Sequence, residues 1–181
     1  MKRKNKRKTG YRILAFLLML LAVITAAGCS SKIALKNADF SAGSGDQFSK
    51  WSQYNYRQSE DADSFRITRV QDETHGSCVR ISNLSENDAR IYQEVRVGAG
   101  KIYKVTAEVR IDGTLEGGAG FVISALETFG QSEGVFTTQD TWQTVTAYLK
   151  TAKGQHSLNL SFGIGGYGAE TAGTVTIASV S

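Results

Sequence analysis

The sequence IYQEVRVGAGKIYKVTAEVRI, residues 91–111, decides the fold class. Apolar and polar residues alternate on both sides of its glycines, and the second run is the clearest strand of the chain, with one apolar face formed by Tyr103, Val105, Ala107, Val109 and Ile111. Successive side chains of a strand point to opposite faces, so alternation is typical of a half-buried β-strand. The glycines at 98 and 100 suit a tight turn, because glycine reaches positive φ at little steric cost. The stretch therefore predicts a β-hairpin.

Shorter alternating or apolar runs occupy much of the remaining chain. They lie at 65–67, 79–81, 121–126, 143–149, 158–162 and 175–177. Turns rich in Gly, Ser, Asp and Asn separate them, and no segment carries a sustained helical apolar period. About nine strands of this kind predict an all-β fold, an antiparallel β-sandwich of two sheets.

The N-terminus has the pattern of a secretory signal. Residues 1–12 hold seven Lys/Arg and no acid, residues 13–27 are an apolar run, and small residues precede Cys29. This order predicts a lipoprotein signal peptide over 1–28, forming an apolar signal helix, with lipid attached to Cys29. The apolar run is shorter than the roughly 18 residues that span a bilayer. A permanent transmembrane helix, with Cys29 incidental, is the alternative.

This interpretation divides the chain into a signal peptide at 1–28, a tether at 29–35 and one domain at 36–181. The mature protein is expected on the extracytoplasmic face of the cell membrane, anchored through its lipid. Seven of the 21 Lys/Arg precede Cys29 and all 17 Asp/Glu follow it, so the mature part has a formal charge of 14 − 17 = −3. A basic leader on an acidic domain argues against nucleic-acid binding.

Only two cysteines are present. With Cys29 committed to lipid, no intrachain disulfide is possible in the mature domain. Cys78 alternates with Val79 and Ile81 and shares a face with Arg80. We expect it to be a half-buried strand residue, because an unpaired cysteine packs like a small hydrophobe.

Several segments together resemble the carbohydrate-binding modules of families 4, 9 and 22, and the resemblance covers nearly all of residues 36–181. The segments that carry it are NADFSAG at 37–43 followed by Trp51, GSCVRI at 76–81, YQEVRVGAGKIYKV at 92–105, TWQTV at 141–145 and GTVTI at 173–177. The resemblance implies a galactose-binding-like jelly roll whose concave face or loop edge holds a glycan. Its implied partner is a polysaccharide or oligosaccharide.

Members of that family often bind a structural calcium through a Glu after the N-terminal Phe and an Asp in the last strand. Here Ser41 follows Phe40, and Ala178 and Ser179 occupy the last strand. A hard cation needs about six oxygen ligands with carboxylates among them, and Asp39 is the remaining candidate. No cofactor is therefore expected, and a structural calcium is the less favoured alternative because its usual acidic ligands are missing.

Aromatic and polar residues outside the expected core are the candidate glycan ligands, because pyranose rings stack on aromatic side chains and sugar hydroxyls bond to polar groups. The candidates are Trp51, Tyr54, Arg57, Arg90, Tyr92, Glu127, Phe129 and Tyr167. Trp51 is equally consistent with core packing. For Arg90, Tyr92, Glu127 and Phe129, solvated surface without a ligand is the favoured alternative. Tyr167, among glycines, is compatible with a lid or with a plain strand connection.

Catalysis finds little support in the sequence. The two histidines, His75 and His156, lie in Gly-containing turns without a nucleophile motif, and no His or Cys spacing fits a metal site. A carboxylate pair among Glu108, Glu127 and Glu133 remains open, since glycosidases use two carboxylates. We expect a noncatalytic glycan-binding module. The alternative is a structural or protein-interaction sandwich without a sugar site.

Overall fold

The structure is a computed structural model that describes residues 32–57, 64–126 and 130–181. The compact unit Ala34–Ser181 contains the entire described core. The predicted signal helix and Cys29 lie outside the described residues. Within the part of the chain that is described, no helix has the length and apolar character needed to cross a bilayer.

All regular structure in the described residues is β. The strands are β1 (Gly43–Ser44), β2 (Gln47–Phe48), β3 (Ser52–Asn55), β4 (Phe65–Asp72), β5 (Gly76–Asn87), β6 (Ala89–Arg96), β7 (Ile102–Gly117), β8 (Phe121–Ala125), β9 (Gln143–Lys150), β10 (Ser157–Ile164) and β11 (Thr171–Val180). A four-stranded sheet has the order β3-β6-β10-β8, and a five-stranded sheet has the order β4-β5-β11-β7-β9. β1 and β2 form a small separate ribbon. The pairings are antiparallel, which confirms the predicted jelly-roll β-sandwich.

The core lies between the two sheets and follows the alternation seen in the sequence. In β6, Ile91 and Val95 face inward, and in β7 the residues from Val105 to Ile111 alternate between buried and partly exposed. The largest fully buried side chains come from both sheets and from the N-terminal loop: Phe40, Phe121, Phe162, Ile81, Ile91, Ile111, Ile123, Ile164 and Ile177. The predicted inward faces of these strands are confirmed.

The predicted hairpin between 91–97 and 102–111 is wrong. β6 belongs to the four-stranded sheet and β7 to the five-stranded sheet, so the chain crosses between sheets at 97–101. This connection bonds instead to the loop after β9, where the Val97 amide donates to the His156 carbonyl at 2.8 Å. Alternation shows which side of a strand is apolar, but two opposed sheets offer equivalent apolar faces. Gly100 does adopt positive φ, at 64°.

Cys78 is fully buried rather than half-buried. It lies on β5 on the face expected from its alternation with Val79. Burial raises the pKa of its thiol to about 11, and the nearby Asp72 carboxylate acts in the same direction. The thiol is therefore protonated and chemically inert at neutral pH.

Candidate functional site

Several of the predicted ligand residues meet on the outer face of the four-stranded sheet. Register places Tyr54 of β3 opposite Arg90 of β6, and Ser52 opposite Tyr92. One row of side chains crosses the whole sheet: Ser52, Tyr92, Ser161, Ser124 and Gln131. We call this row, together with Tyr54 and Arg90, the Tyr92 face.

The segment 131–135 lies beside β8 like a short additional edge strand and so widens this surface. It pairs with β8 through the bridges Ser124↔Gln131 and Phe121↔Val135. The Ser132 amide also donates to the Ile123 carbonyl at 2.8 Å. With five strand positions about 4.8 Å apart, the row is roughly 19 Å long, which suits an oligosaccharide rather than a single sugar.

Arg90 lies in the floor of the Tyr92 face and is only 4% exposed. Its Nε donates to the Asp88 carboxylate, and its Nη1 donates to the Ser124 hydroxyl at 2.6 Å. Its Nη2 donates to the Gly165 carbonyl at 2.6 Å, and Ser124 and Ser161 share a 2.8 Å hydroxyl bond. Arg90 is therefore on the predicted face but is buried rather than solvated. Its role is to hold other groups in place.

Gly163 explains how a guanidinium can lie flat on this sheet. It is the β10 residue opposite Arg90, and a Cβ at this position would approach the Arg90 Cγ to 2.6 Å. The same Cβ would lie 2.2 Å from the Ala89 carbonyl oxygen. The missing side chain leaves the space that Arg90 fills, so the charged floor depends on this glycine.

Tyr54 and Tyr92 bring aromatic rings to the same surface. Tyr54 is 36% exposed, as expected, and Tyr92 is partly exposed beside it. Partial burial and the Asp88 carboxylate raise the pKa of Tyr54, so its hydroxyl stays protonated at neutral pH. Tyr56, which follows β3, is more exposed still. The face thus combines rings with hydroxyl groups and a fixed ion pair.

Trp51 belongs to the core. Of the two roles that the sequence left open, core packing and ligand contact, the structure shows core packing. Its ring is 5.4 Å from the Phe40 ring and 5.8 Å from the Phe162 ring, centroid to centroid. The indole Nε1 donates to the Asn37 carbonyl at 2.9 Å. A ring enclosed in this way has no free face for stacking on a ligand.

Arg57 and Tyr167 lie at the end of the sheet where β3 and β10 finish. Arg57 is exposed and pairs with Glu170, with Nη2 and Oε2 2.5 Å apart. Tyr167 is 99% exposed on a tight turn closed by two bonds between the backbones of Gly166 and Ala169, at 3.0 and 2.9 Å. The turn is attached to the Tyr92 face by the bond from Arg90 to Gly165. Glu127 and Phe129 lie outside the described residues.

Three polar residues of the floor were not among the predicted ligands. They are Asp88, Ser124 and Ser161, all buried on the outer side of the sheet. The available signal was a hydroxyl inside each of two apolar strands, at 124 and at 161. A polar residue in such a strand needs a partner, because an unpaired buried polar group is costly.

The N-terminal loop shows why the residues at the expected calcium position do not fit a metal ion. The Arg69 guanidinium of β4 donates to the Phe40 carbonyl and to four further oxygens, those of Ala42, Gly45, Gln47 and the Ser77 hydroxyl. Asp39, the remaining candidate ligand, accepts from the Ser41 amide and hydroxyl. Among the described residues, no group of three or more His, Cys, Asp or Glu could hold a metal ion.

His75 and Glu108 lie on the five-stranded sheet, away from the Tyr92 face. His75 Nδ1 is 3.1 Å from an Asp72 oxygen and Nε2 is 3.2 Å from a Glu108 oxygen, while its ring stacks on Trp142 at 4.3 Å. The Asp72 contact, followed by Glu108, raises the pKa of His75. Glu133 follows β8 at the other sheet, so Glu108 and Glu133 do not form a carboxylate pair.

No protein-family model and no curated protein matches the sequence. Solved structures do match. The chain is similar to a family 4 carbohydrate-binding module, with TM-score 0.55, 17% identity, and coverage of 82% of this chain and 97% of that one. The fold is that of carbohydrate-binding modules.

Two further modules agree with this result. BiXyn10A CBM1, in its apo form, gives TM-score 0.51 at 19% identity and covers 78% of this chain and 92% of its own. TmCBM61, in complex with β-1,4-galactotriose, gives TM-score 0.51 at 18% identity and covers 83% and 97%. At these identities the likeness to carbohydrate-binding modules concerns the fold, and at that level it confirms the resemblance found in the sequence.

Proposed function

We propose that this protein binds a polysaccharide or oligosaccharide on the Tyr92 face without catalysing a reaction. One observation carries the proposal. The rings of Tyr54 and Tyr92 lie beside the hydrogen-bonded network of Arg90 on the outer face of the four-stranded sheet. The fold is shared with modules such as TmCBM61, whose structure holds β-1,4-galactotriose.

The chemistry of the face suits a neutral glycan. Tyr54 and Tyr92 offer ring faces to the C–H groups of a pyranose, and burial of such apolar contacts is favourable. The exposed Gln131 amide and Ser52 hydroxyl, at the two ends of the row, offer donors and acceptors to sugar hydroxyls. The positive charge of Arg90 is already matched by Asp88, so the floor does not select for an anionic sugar.

We infer further that lipid on Cys29 anchors the protein to the extracytoplasmic face of the membrane, with a signal peptide at 1–28, a tether at 29–35 and the binding domain at 36–181. Many copies on one membrane would retain a polymer that each copy binds weakly. Metabolic labelling with a palmitate analogue should mark the wild-type protein and leave Cys29→Ser unlabelled. Equal labelling of both would contradict the anchor.

The sugar site is tested by affinity electrophoresis in gels containing xylan, β-glucan, mannan or β-1,4-galactan. The wild-type protein should be retarded by at least one glycan. Tyr92→Ala should weaken that binding by roughly tenfold, the usual cost of removing a central aromatic contact. Tyr148→Ala is the matched control, because Tyr148 is an exposed tyrosine on the five-stranded sheet.

Two results would contradict the proposal. If folded protein migrates normally through the whole panel, the sandwich serves as a structural or protein-interaction module instead. If Tyr148→Ala loses binding while Tyr92→Ala keeps it, the glycan binds the opposite sheet.

A further inference from the structure

Five exposed bases gather at one end of the sandwich, although the domain as a whole is acidic. They are Arg96, Lys101, Lys104, Lys150 and Lys153, and we call this surface the basic end. The segments that contribute them, 95–107 and 141–169, contain no Asp or Glu. The four lysines therefore have no acidic residue within three positions along the chain, whereas Arg96 follows Glu94 on the same exposed face of β6.

Tertiary contacts join these segments into one surface. β7 and β9 pair with Ile102 opposite Lys150 and with Lys104 opposite Tyr148. The Thr151 amide donates to the Lys101 carbonyl at 2.8 Å, and the loop of Lys153 bonds back to Gly100 through the Ala152 carbonyl at 3.1 Å. The bond from Val97 to His156 attaches the end of β6, and with it Arg96, to the same loop.

Two large apolar side chains lie among the bases. Ile102 is 66% exposed and Tyr148 is 70% exposed, and their strand partners are Lys150 and Lys104. Lysines around an aliphatic and a tyrosine side chain make an amphipathic surface. Tyrosine is favoured at the boundary between water and lipid, where its ring is buried and its hydroxyl stays wet.

We propose that the basic end docks on the surface of an anionic phospholipid bilayer. Each Lys or Arg near such a surface contributes about fivefold to binding, from roughly 1 kcal/mol per charge. A polybasic patch adds electrostatic attraction to the binding that a lipid anchor gives. The basic end would thus hold the domain against the membrane to which a lipid on Cys29 attaches it.

The path of the chain supports this orientation, which rests on the proposed anchor. The backbone of Lys36 is held by the Gln93 side chain through bonds of 3.0 and 2.9 Å, and Gln93 lies three residues before Arg96 on β6. The tether at 29–35 can reach at most roughly 25 Å when fully extended. The domain therefore enters its fold at the end that carries the bases, close to any lipid on Cys29.

This orientation would leave the glycan surface accessible. β10 begins opposite Arg96 and runs away from the basic end, so the Tyr167 turn and Arg57 lie at the far end of the sandwich. The strands of the four-stranded sheet would stand on the membrane, and the Tyr92 face would open to the side.

The test uses residues 34–181 without lipid, since this compact unit contains the whole described core. Cosedimentation with vesicles of phosphatidylcholine alone, or of phosphatidylcholine mixed with phosphatidylglycerol, should show binding to the anionic vesicles only. High salt should weaken it, because salt screens exposed charges. Lys104→Gln with Lys150→Gln should reduce binding roughly 30-fold, at about fivefold per charge.

Matched variants show whether vesicle binding depends on the position of the charges or only on the net charge of the protein. Leu84→Glu with Thr114→Glu makes the same change in net charge at the far end, and it should leave binding nearly unchanged. Lys104→Arg with Lys150→Arg should preserve binding, and Ile102→Ser with Tyr148→Ser should reduce it. Glycan gels run with the same proteins distinguish failure of this surface from failure of the Tyr92 face.

Three outcomes would overturn the proposal. These are equal binding to neutral and anionic vesicles, binding that the paired Lys→Gln substitutions leave unchanged, and retention on DNA or heparin without vesicle binding. The last outcome would assign the basic end to a soluble polyanion.

Discussion

At the scale of single residues, the type of a side chain did not show whether it is buried or exposed. Contacts with other strands decide that. Trp51 and Arg90 were both candidate ligands, yet one packs against Phe162 and the other lies under the surface with Asp88. Neither burial could be derived locally, because the groups that enclose each side chain lie on other strands. Tyr54, whose neighbours on β3 are exposed, was placed at the surface correctly.

Arg69, on β4, makes an extensive set of polar contacts with the N-terminal loop. Its five N–H groups have five oxygen acceptors at 2.5–3.4 Å, and its guanidinium lies 4.4 Å from the centre of the Phe48 ring. The planar guanidinium reaches acceptors in several directions at once, which an ammonium cannot do. Arg69 therefore supplies the positive charge that fixes this loop.

We predict that the domain is stable without a divalent cation and depends on Arg69 instead. EDTA should leave its melting temperature unchanged, because loop carbonyls already bind the guanidinium. Arg69→Gln should lower the free energy of unfolding by about 2 kcal/mol, a typical cost of breaking a hydrogen-bond network. Arg96→Gln, an exposed base, is the control for the denaturation measurement. A fall in melting temperature with EDTA would contradict the prediction.

At the scale of elements, the period of a strand fixed its two faces but not its neighbours. The strands over 65–67, 79–81 and 143–149 were recognised because alternation is a local property. Pairing depends on contacts between distant segments, such as β11 between β5 and β7, and the sequence pattern does not encode them. The crossing from β6 to β7 was mistaken for a hairpin for this reason.

We predict that Gly163→Ala destabilises the sandwich and weakens glycan binding together. The added methyl would meet the Ala89 carbonyl oxygen and the Arg90 Cγ within 2.6 Å, so Arg90 must leave its place over β10. Overpacking of this kind costs about 1–3 kcal/mol. Chemical denaturation measures the first effect and affinity electrophoresis the second.

Gly98→Ala is the control for this substitution. There the nearest atom to an added Cβ is the Lys101 Cγ at 3.2 Å, on a flexible side chain that can move. Equal stability of Gly163→Ala and wild type would show that Arg90 does not need the space above Gly163.

At the scale of the whole molecule, the fold distributes charged residues unevenly over the surface, and the net charge does not show this distribution. Residues 29–181 contain 17 Asp/Glu and 14 Lys/Arg, yet five exposed bases meet at one end. The bases are spread over residues 96–153 in the sequence, so no run of like charge marks this end. Strand pairing between β7 and β9 is what assembles it.

The stability of the whole domain should fall as pH rises above 6.5, because His75 in its charged form bonds to both Asp72 and Glu108. Its contacts with Asp72 and Glu108 raise its pKa above the ordinary 6.5. A raised pKa in the folded state contributes stability that is fully present below pH 6.5 and is lost as pH rises through the folded pKa. The Asp72 carboxylate, whose pKa is lowered mainly by Thr74, is ionised throughout this range.

Urea denaturation at pH 5.5 and pH 8.5 checks this prediction. The free energy of unfolding should be greater at the lower pH in the wild-type protein, and the difference should shrink in His75→Gln. His156→Gln, in the exposed loop after β9, should behave like wild type. An undiminished pH dependence in His75→Gln would assign it to other groups.

The sequence by itself determined the fold class, the inward faces of the strands and the placement of Tyr54 and Tyr92 on an outer face. All three follow from the two-residue period, which acts within each strand. Only the tertiary structure decided which strands pair, that Arg90 and Trp51 are buried, that Arg69 fills the loop, and that five bases meet. Each of these depends on contacts between segments that lie far apart in the chain.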